Sequence, residues 1–331
     1  MSRISLGSLS ADPQLAAELA AGLAQVEQSL RASVRSDYPF VSEASSYLVD
    51  AGGKRFRPLL VLMAAQFGDP SRREVIEAAV AVELTHLATL YHDDVMDEAS
   101  LRRGSPSANA RWDNTVAILT GDFLFARSSA LLAALGPQAV LVHAQTFERL
   151  CTGQIRETVG PEEGIDPVKH HLQVLADKTG SLIAASGRYG AMMSGAEPAT
   201  IETMSRFGEL IGVAFQLADD IVDITSESAE SGKTPGTDLR EGVPTLAALH
   251  VMASSRAEDA RLRELLLAPI EDDADHALAL ELLRAHPGLD EARAEAQRWA
   301  REARGTLAGL PAGSARSALE MLCDYVVTRT N

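Results

Sequence analysis

The chain has 331 residues, of which 30 are Lys or Arg and 46 are Asp or Glu, giving a formal net charge of −16. Hydrophobic residues make up 46% and charged ones 23%, too apolar for a disordered chain, and the length suits two average domains or one large helical one. The acidic balance excludes a general nucleic-acid binder, which needs a basic surface, but leaves room for an anionic small molecule held by a local basic cluster. Cys151 and Cys323 lie far apart with no CxxC pairing, as expected of a reduced, cytoplasmic protein. The N-terminus has no signal-peptide pattern, and apolar runs such as 58–65 fall short of the ~20 residues a spanning helix needs. No transmembrane segment is therefore expected, although peripheral contact with a membrane surface is compatible with the composition.

In chain order, residues 13–35 repeat apolar residues at three- and four-residue spacing and predict one amphipathic helix. Further helices are expected near 41–51, 56–67, 72–98, 107–111, 115–135, 138–159, 167–194 and 199–225. Others follow near 243–254, 258–267, 273–285, 289–308 and 312–328. The alternation that marks strands is nearly absent, so no strand is expected. Gly68-Asp69-Pro70, Gly136-Pro137, 160–167 and His286-Pro287-Gly288 carry turn chemistry. The longest break, 226–244, is rich in Ser, Gly and charge, and a loop of that length is a linker or a functional lid.

One pattern occurs twice. Residues 90–97 read LYHDDVMD and residues 217–223 read LADDIVD, each placing carboxylates at i, i+1 and i+4 on an apolar helix. A residue turns a helix by ~100°, so Asp93 and Asp97 stand ~40° apart with Asp94 in the same sector, and Asp219, Asp220 and Asp223 repeat this. A single acidic triplet is most simply a solvated face, and like charges at this spacing destabilise a helix by a few tenths of a kcal/mol. Two triplets flanked by Leu90, Val95, Met96, Leu217, Ile221 and Val222 are better read as buried clusters that need cations. Mg2+ is usually held by one or two carboxylates together with water and substrate phosphate, so facing triplets suggest a metal-bridged diphosphate.

The basic residues agree with this. Gly52-Gly53-Lys54-Arg55-Phe56-Arg57-Pro58 opens a helix and combines close backbone approach with phosphate-binding cations. Arg102-Arg103-Gly104 follows the first triplet, Lys178-Thr179-Gly180 lies within a helix, and Lys233 lies in the long loop. His86 sits seven residues before Asp93 on the same helix. Taken singly each is an ordinary surface charge or structural histidine; together they form a candidate site for two anionic groups.

The set GGKRFRP, HDDVMDEASLRRG, GDFLFAR, DKTG, FQLADDIVD and GKTPGTDLREGVPTL resembles trans-isoprenyl diphosphate synthases, and within them the long-chain polyprenyl diphosphate synthases of bacteria. The likeness runs from about residue 40 to about residue 250 and continues weakly to Tyr325-Val326-Val327. It implies an all-α fold: a single domain over 1–331, one large helical bundle around a central cavity, with 1–40 as an N-terminal helical region and 226–244 as an active-site lid. It implies a homodimer in which Asp93, Asp94 and Asp97, facing Asp219, Asp220 and Asp223, bind three Mg2+ ions. Arg102, Lys178 and Lys233 match ligands of the allylic diphosphate; Lys54, Arg57, His86 and Arg103 match the isopentenyl diphosphate site; Thr179 and Gln216 match residues beside the allylic carbon.

Product length turns on the residues one turn before the first motif, where short-chain members often carry an aromatic. Ala88 and Thr89 stand there, so a product longer than C15 is expected, with the floor set deeper, for instance by the helix bearing Phe147 and Leu150. Tyr91, where long-chain members commonly carry a smaller residue, would narrow the mouth if its ring faced the cavity. A geranylgeranyl or farnesyl diphosphate synthase is the alternative reading. A class I terpene cyclase usually has one DDxxD, and non-catalytic subunits of heteromeric synthases typically lose Asp residues; both triplets are intact here.

Overall fold

The computed structural model describes residues 12–226 and 235–328, and nearly all of the regular structure is helical. Four helices begin where an Asp carboxylate supplies the first free amides with a partner. Asp12 accepts from the Gln14 amide at 2.9 Å, Asp113 from Val116 at 2.8 Å, Asp166 from Val168 at 2.9 Å and Asp272 from Ala274 at 2.8 Å. Pro13 and Pro167 follow two of these caps at a position where the missing N–H loses no helical bond. The residues gather into two compact units, each assembled from separate stretches of chain.

The first unit takes the chain up to Glu148, with Leu182–Gly208 and Thr306–Met321. It contains α1 (Pro13–Ser33), α2 (Pro39–Asp50), α3 (Phe56–Ala65), α4 (Arg73–Met96), α5 (Ala108–Arg111), α6 (Asn114–Ala134) and the start of α7 (Pro137–Val159). Its centre is α3, where Phe56 and every residue from Pro58 to Ala65 are buried, as expected of a helix that is apolar all round. Gly190 lets a later helix touch α3, since a Cβ there would stand 2.1 Å from the Val61 carbonyl oxygen. α6 runs along α4: the Thr85 and Ser128 hydroxyls are 2.8 Å apart and both donate to the Ala81 carbonyl. α6 is also long and apolar enough by composition to cross a bilayer. Asp122 and Arg127 interrupt its apolar sequence, and its Ala117, Gly121, Leu124, Ser128 and Leu132 are buried within the unit.

The expectation of no strand is corrected by one short hairpin. Leu101–Arg102 (β1) pairs antiparallel with Ser105–Pro106 (β2) through Arg103 and Gly104, whose φ angles are 55° and 79°. Two positive φ values are what a two-residue type I′ turn demands. Strands of two residues carry no alternation, which is why the pattern was invisible.

The second unit comprises Arg149–Ser181, Glu209–Gly305 and the chain from Leu322. Beyond the rest of α7 lie α8 (Pro167–Leu175), a π-helical turn over Ala176–Gly180, α9 (Ser181–Met193) continuing into the first unit, and α10 (Pro198–Thr225). Then come α11 (Thr237–Glu241), α12 (Leu246–Ala253), α13 (Ala260–Leu265), α14 (Asp273–Ala285), α15 (Pro287–Thr306) and the end of α16 (Ser314–Thr328); α10 and α16 both begin in residues of the first unit. The single helix expected over 167–194 is thus interrupted by a π turn. Val213, Leu217, Ile221 and Ile224 form the buried stripe of α10 and pack with Leu246, Val251, Leu262 and Leu283. That stripe fixes the roll of α10 and leaves Gln216, Asp219, Asp220 and Asp223 on the adjoining, half-buried face.

Candidate active site

In the first unit, α4 carries the first triplet at its C-terminus. Asp93 is half-buried, Asp94 fully buried, and Asp97 is the exposed residue that ends the helix, its amide donating to the Asp93 carbonyl at 2.8 Å. The chain leaves through a Schellman arrangement: Ala99 N–H donates to Asp94 O at 3.0 Å, and Glu98 takes the left-handed position at φ 49°. Glycine is usual there. The hairpin then folds back so that Arg102 Nε donates to Asp94 Oδ1 at 2.5 Å. Burial holds the Asp94 carboxyl above its ordinary range, partly offset by Arg102.

Around this end of α4 lies a concentration of cations. His86 is half-buried, and its imidazole is pushed well below its ordinary range, first by burial and then by Arg57, Arg103, Arg55 and Arg102. The charges of four guanidinium groups therefore disfavour a proton on this ring. Arg103 donates to the carbonyls of Leu48, at 2.9 Å, and Gly52, so it braces the glycine turn in addition to lying near the site. Lys54 and Arg57, half-buried, stand on that turn and the first turn of α3. Ala88 is buried, and the half-buried Thr89 donates to the His86 carbonyl at 2.8 Å. Tyr91 does not narrow a channel mouth: its ring is fully buried and its hydroxyl donates to Ala44 O at 2.6 Å and accepts from Leu48 N at 3.3 Å, both on α2.

In the second unit the π turn presents Lys178 and Thr179. Lys178 Nζ donates to Glu157 Oε2 at 2.5 Å; Thr179 Oγ1 donates to Gln216 Oε1 at 3.2 Å, and Gln216 Nε2 donates to Asp220 Oδ1 at 3.0 Å. A polar chain therefore runs from the π turn to the second triplet. Burial, and then the charges of Asp219 and Asp223, push the Asp220 carboxyl up to about 7 despite the Gln216 bond. Beyond the long loop the chain returns to α10: Gly236 N–H donates to Asp223 O at 2.9 Å and Asp238 N–H to Asp223 Oδ2 at 3.2 Å. Residues 227–234, which include Lys233 and part of the expected lid, lie outside the described residues.

Sequence reasoning missed what supports these groups. Asp177 in the π turn is buried and accepts from Arg149 Nε at 2.9 Å, Arg156 Nη1 at 2.6 Å and Gln173 Nε2 at 2.9 Å. The available signal was the stripe of Arg149, Gly153 and Arg156 on one face of α7. In the first unit, Glu83 stands alone in an apolar run of α4, the mark of a buried charge that must have a partner.

The carboxylates suit a divalent cation by what they lack. Among the described residues Asp94 Oδ2 is buried and has no hydrogen-bond partner, and Asp220, whose carboxyl is pushed up by burial and by Asp219 and Asp223, has His171 Nε2 3.9 Å from its Oδ2. Among the described residues no three ligating side chains already form a closed cage. Open carboxylate sites completed by water and substrate phosphate are the usual arrangement for Mg2+.

Fold and chemistry together define a prenyl-transferring enzyme of the all-α diphosphate synthase class. Residues 38–283 match the polyprenyl synthetase family. The chain is 51% identical over 319 residues to the nonaprenyl diphosphate synthase of Mycobacterium tuberculosis, covering 96% of this chain and 95% of that one. Geranylgeranyl pyrophosphate synthase from Corynebacterium glutamicum, complexed with calcium and isoprenyl diphosphate, matches with a TM-score of 0.87 at 46% identity, over 97% of this chain and 99% of that chain. The decaprenyl diphosphate synthase from Rhodobacter capsulatus matches with a TM-score of 0.87 at 34% identity, over 96% and 99%. The chain belongs to the polyprenyl synthetase family.

Proposed function

We propose that the protein condenses isopentenyl diphosphate with an allylic diphosphate, head to tail and in trans, to give a polyprenyl diphosphate longer than C15, of the kind that becomes a quinone side chain. The observation that carries this reading is the buried Asp94 carboxylate in the first triplet, bonded to Arg102 at 2.5 Å through one oxygen and without a hydrogen-bond partner on the other. Lys54, Arg57, His86 and Arg103 hold isopentenyl diphosphate, and His86 offers an N–H without adding charge. Arg102, Lys178 and Lys233 hold the allylic diphosphate. The six aspartates would hold Mg2+, three ions per site on this reading, and the ions would supply the positive charge that makes the diphosphate a good leaving group. As the allylic C–O bond breaks, the Thr179 hydroxyl and the Gln216 amide oxygen turn their dipoles toward the electron-poor carbon. The isopentenyl double bond forms the new C–C bond, and the proton lost from its C2 passes to the released diphosphate.

Ala88 and Thr89 leave the path below the first motif open. The ring cluster of Phe125 with Phe147, centroids 4.0 Å apart, is the floor we propose. The functional unit we propose is a homodimer, supported by exposed apolar side chains on the α6–α7 hairpin, Ile118, Leu119, Val140 and Leu141. The test is incubation of the protein with Mg2+, isopentenyl diphosphate and C5, C10, C15 and C20 primers, with products sized by chromatography. Diphosphate release and elongation past C15 are expected. No release with any primer refutes the synthase reading, and products ending at C15 refute the length.

A further inference from the structure

In the run Gly52 to Arg57, Lys54 and Arg57 match substrate ligands, while Arg55 between them has no assigned role. Its side chain is 9% exposed, and its five N–H donors are all engaged by protein. Nε and Nη2 donate to Glu27 at 2.9 and 3.2 Å, Nη1 to Glu83 Oε1 at 2.9 Å and to Gly52 O at 3.3 Å, and Nη2 also to Val49 O at 3.0 Å. No donor is left for a phosphate. The backbone of Arg55 is left-handed at φ 51°, a conformation disfavoured for an L-residue, and the bonds made by its side chain oppose its relaxation. Glu83, 2% exposed, is a buried charge for which Arg55 is the hydrogen-bonded cation. The turn is pinned against these groups: a Cβ on Gly53 would meet Arg103 Nη2 at 3.0 Å and Arg55 Nη1 at 3.1 Å.

We infer that Arg55 is a positioning residue for the isopentenyl diphosphate site: clamped between Glu27 of α1 and Glu83 of α4, it sets the Gly52-Gly53-Lys54 turn and thereby places Lys54 and Arg57. The inference rests on the function proposed above. It gives α1, which lies outside the stretch that carries the family motifs, a part in binding one substrate. It also separates the two substrates, because the clamp braces the turn bearing Lys54 and Arg57 and makes no bond to the Arg102–Asp94 pair.

The test is steady-state kinetics on Arg55→Lys and Glu27→Gln, varying each substrate with the other saturating, alongside thermal melts. A lysine offers one compact ammonium and cannot span both acids; Glu27→Gln leaves the buried Glu83–Arg55 bond intact and so keeps the fold. The expected result is a rise in KM for isopentenyl diphosphate on the order of tenfold for Arg55→Lys and severalfold for Glu27→Gln. KM for the allylic diphosphate should stay within about twofold, and Glu27→Asp should recover part of the loss. Unchanged KM for isopentenyl diphosphate in both variants overturns the inference, as does an equal rise in both KM values that tracks lost melting temperature. If Arg55→Lys does not fold, Glu27→Gln carries the same decision. Wild-type protein that condenses neither substrate overturns the proposed function, a different failure from active protein with unshifted variants.

Discussion

Gly153→Ala sets two effects of known size against each other. Gly153 lies within α7, where glycine is the poorer helix former, so alanine should stabilise by up to about 1 kcal/mol. Its surroundings oppose that gain, since the added Cβ would lie 2.7 Å from the Lys178 amide nitrogen and 3.0 Å from both the Asp177 carbonyl carbon and Cβ. Ordinary contact begins at 3.4 Å, so α7 and the π turn must part by 3.4 − 2.7, or 0.7 Å. Backbone atoms cannot swing aside as a flexible side chain can, and overpacking of this kind costs about 1–3 kcal/mol. The net expectation is a loss of about 0–2 kcal/mol, read as a lower denaturation midpoint. The effect on catalysis should be larger in relative terms. Lys178 and Thr179 move with the turn, and Glu157, one helical turn from Gly153, must stretch its bond to Lys178. Misplacement by about 1 Å can cost ~100-fold, so kcat should fall on the order of tenfold or more. A variant about 1 kcal/mol more stable that keeps its kcat would refute the steric argument and, with it, the claim that Gly153 is needed for close approach.

The remaining predictions concern length, assembly and pH. Ala88→Tyr should shorten the product, and Phe147→Ala should lengthen it; an unchanged size distribution for both means that neither lines the product path. Leu119→Arg and Leu141→Arg, on exposed positions, should give a monomer in sedimentation if the α6–α7 hairpin is the dimer contact, and an unchanged dimer places the contact elsewhere. His143 is buried and stacked on Phe125 with centroids 5.0 Å apart, and burial holds its imidazole below its ordinary range. Below about pH 6.5 the unfolded chain therefore takes up a proton that the native state refuses until lower pH, so this stability is complete above that pH and is lost as pH falls below it. Each unit of depression is worth about 1.4 kcal/mol. His143→Gln should make the fall in denaturation midpoint between pH 7.5 and 5.5 shallower, and an identical fall in wild type and variant would assign the effect to other groups.

The helices were readable because their apolar residues recur at helical spacing, and α10 shows how much follows from that alone. Once Val213, Leu217, Ile221 and Ile224 are buried, the sector of the second triplet is fixed. The triplets were readable because carboxylates inside apolar helices are rare without a cation. What escaped was information not held in local periodicity. The π turn depends on Asp177 meeting Arg149 and Arg156 from another helix, and the hairpin on two left-handed residues in a stretch too short for alternation. Tyr91 was ambiguous for the same reason: its partners, Ala44 and Leu48, are more than forty residues away, and only tertiary structure shows which way the ring turns.

The placement of the first triplet at the end of α4 has a consequence for which ligands can enter. The unpaired carbonyls of a helix C-terminus carry a partial negative charge, so Asp93, Asp94 and Asp97 sit where the helix dipole opposes them, the reverse of an anion-binding helix N-terminus. At the carboxylates themselves a bare anion is disfavoured, and it is the neighbouring guanidinium groups, Arg102 on Asp94 among them, that offset this. An anion that arrives as a chelate brings its own cation and meets attraction from the carboxylates and the helix end. On the function proposed above, a diphosphate, whose adjacent phosphoryl groups can share one metal ion, would enter here more readily than a monophosphate, and the polarity of one helix would contribute to that preference.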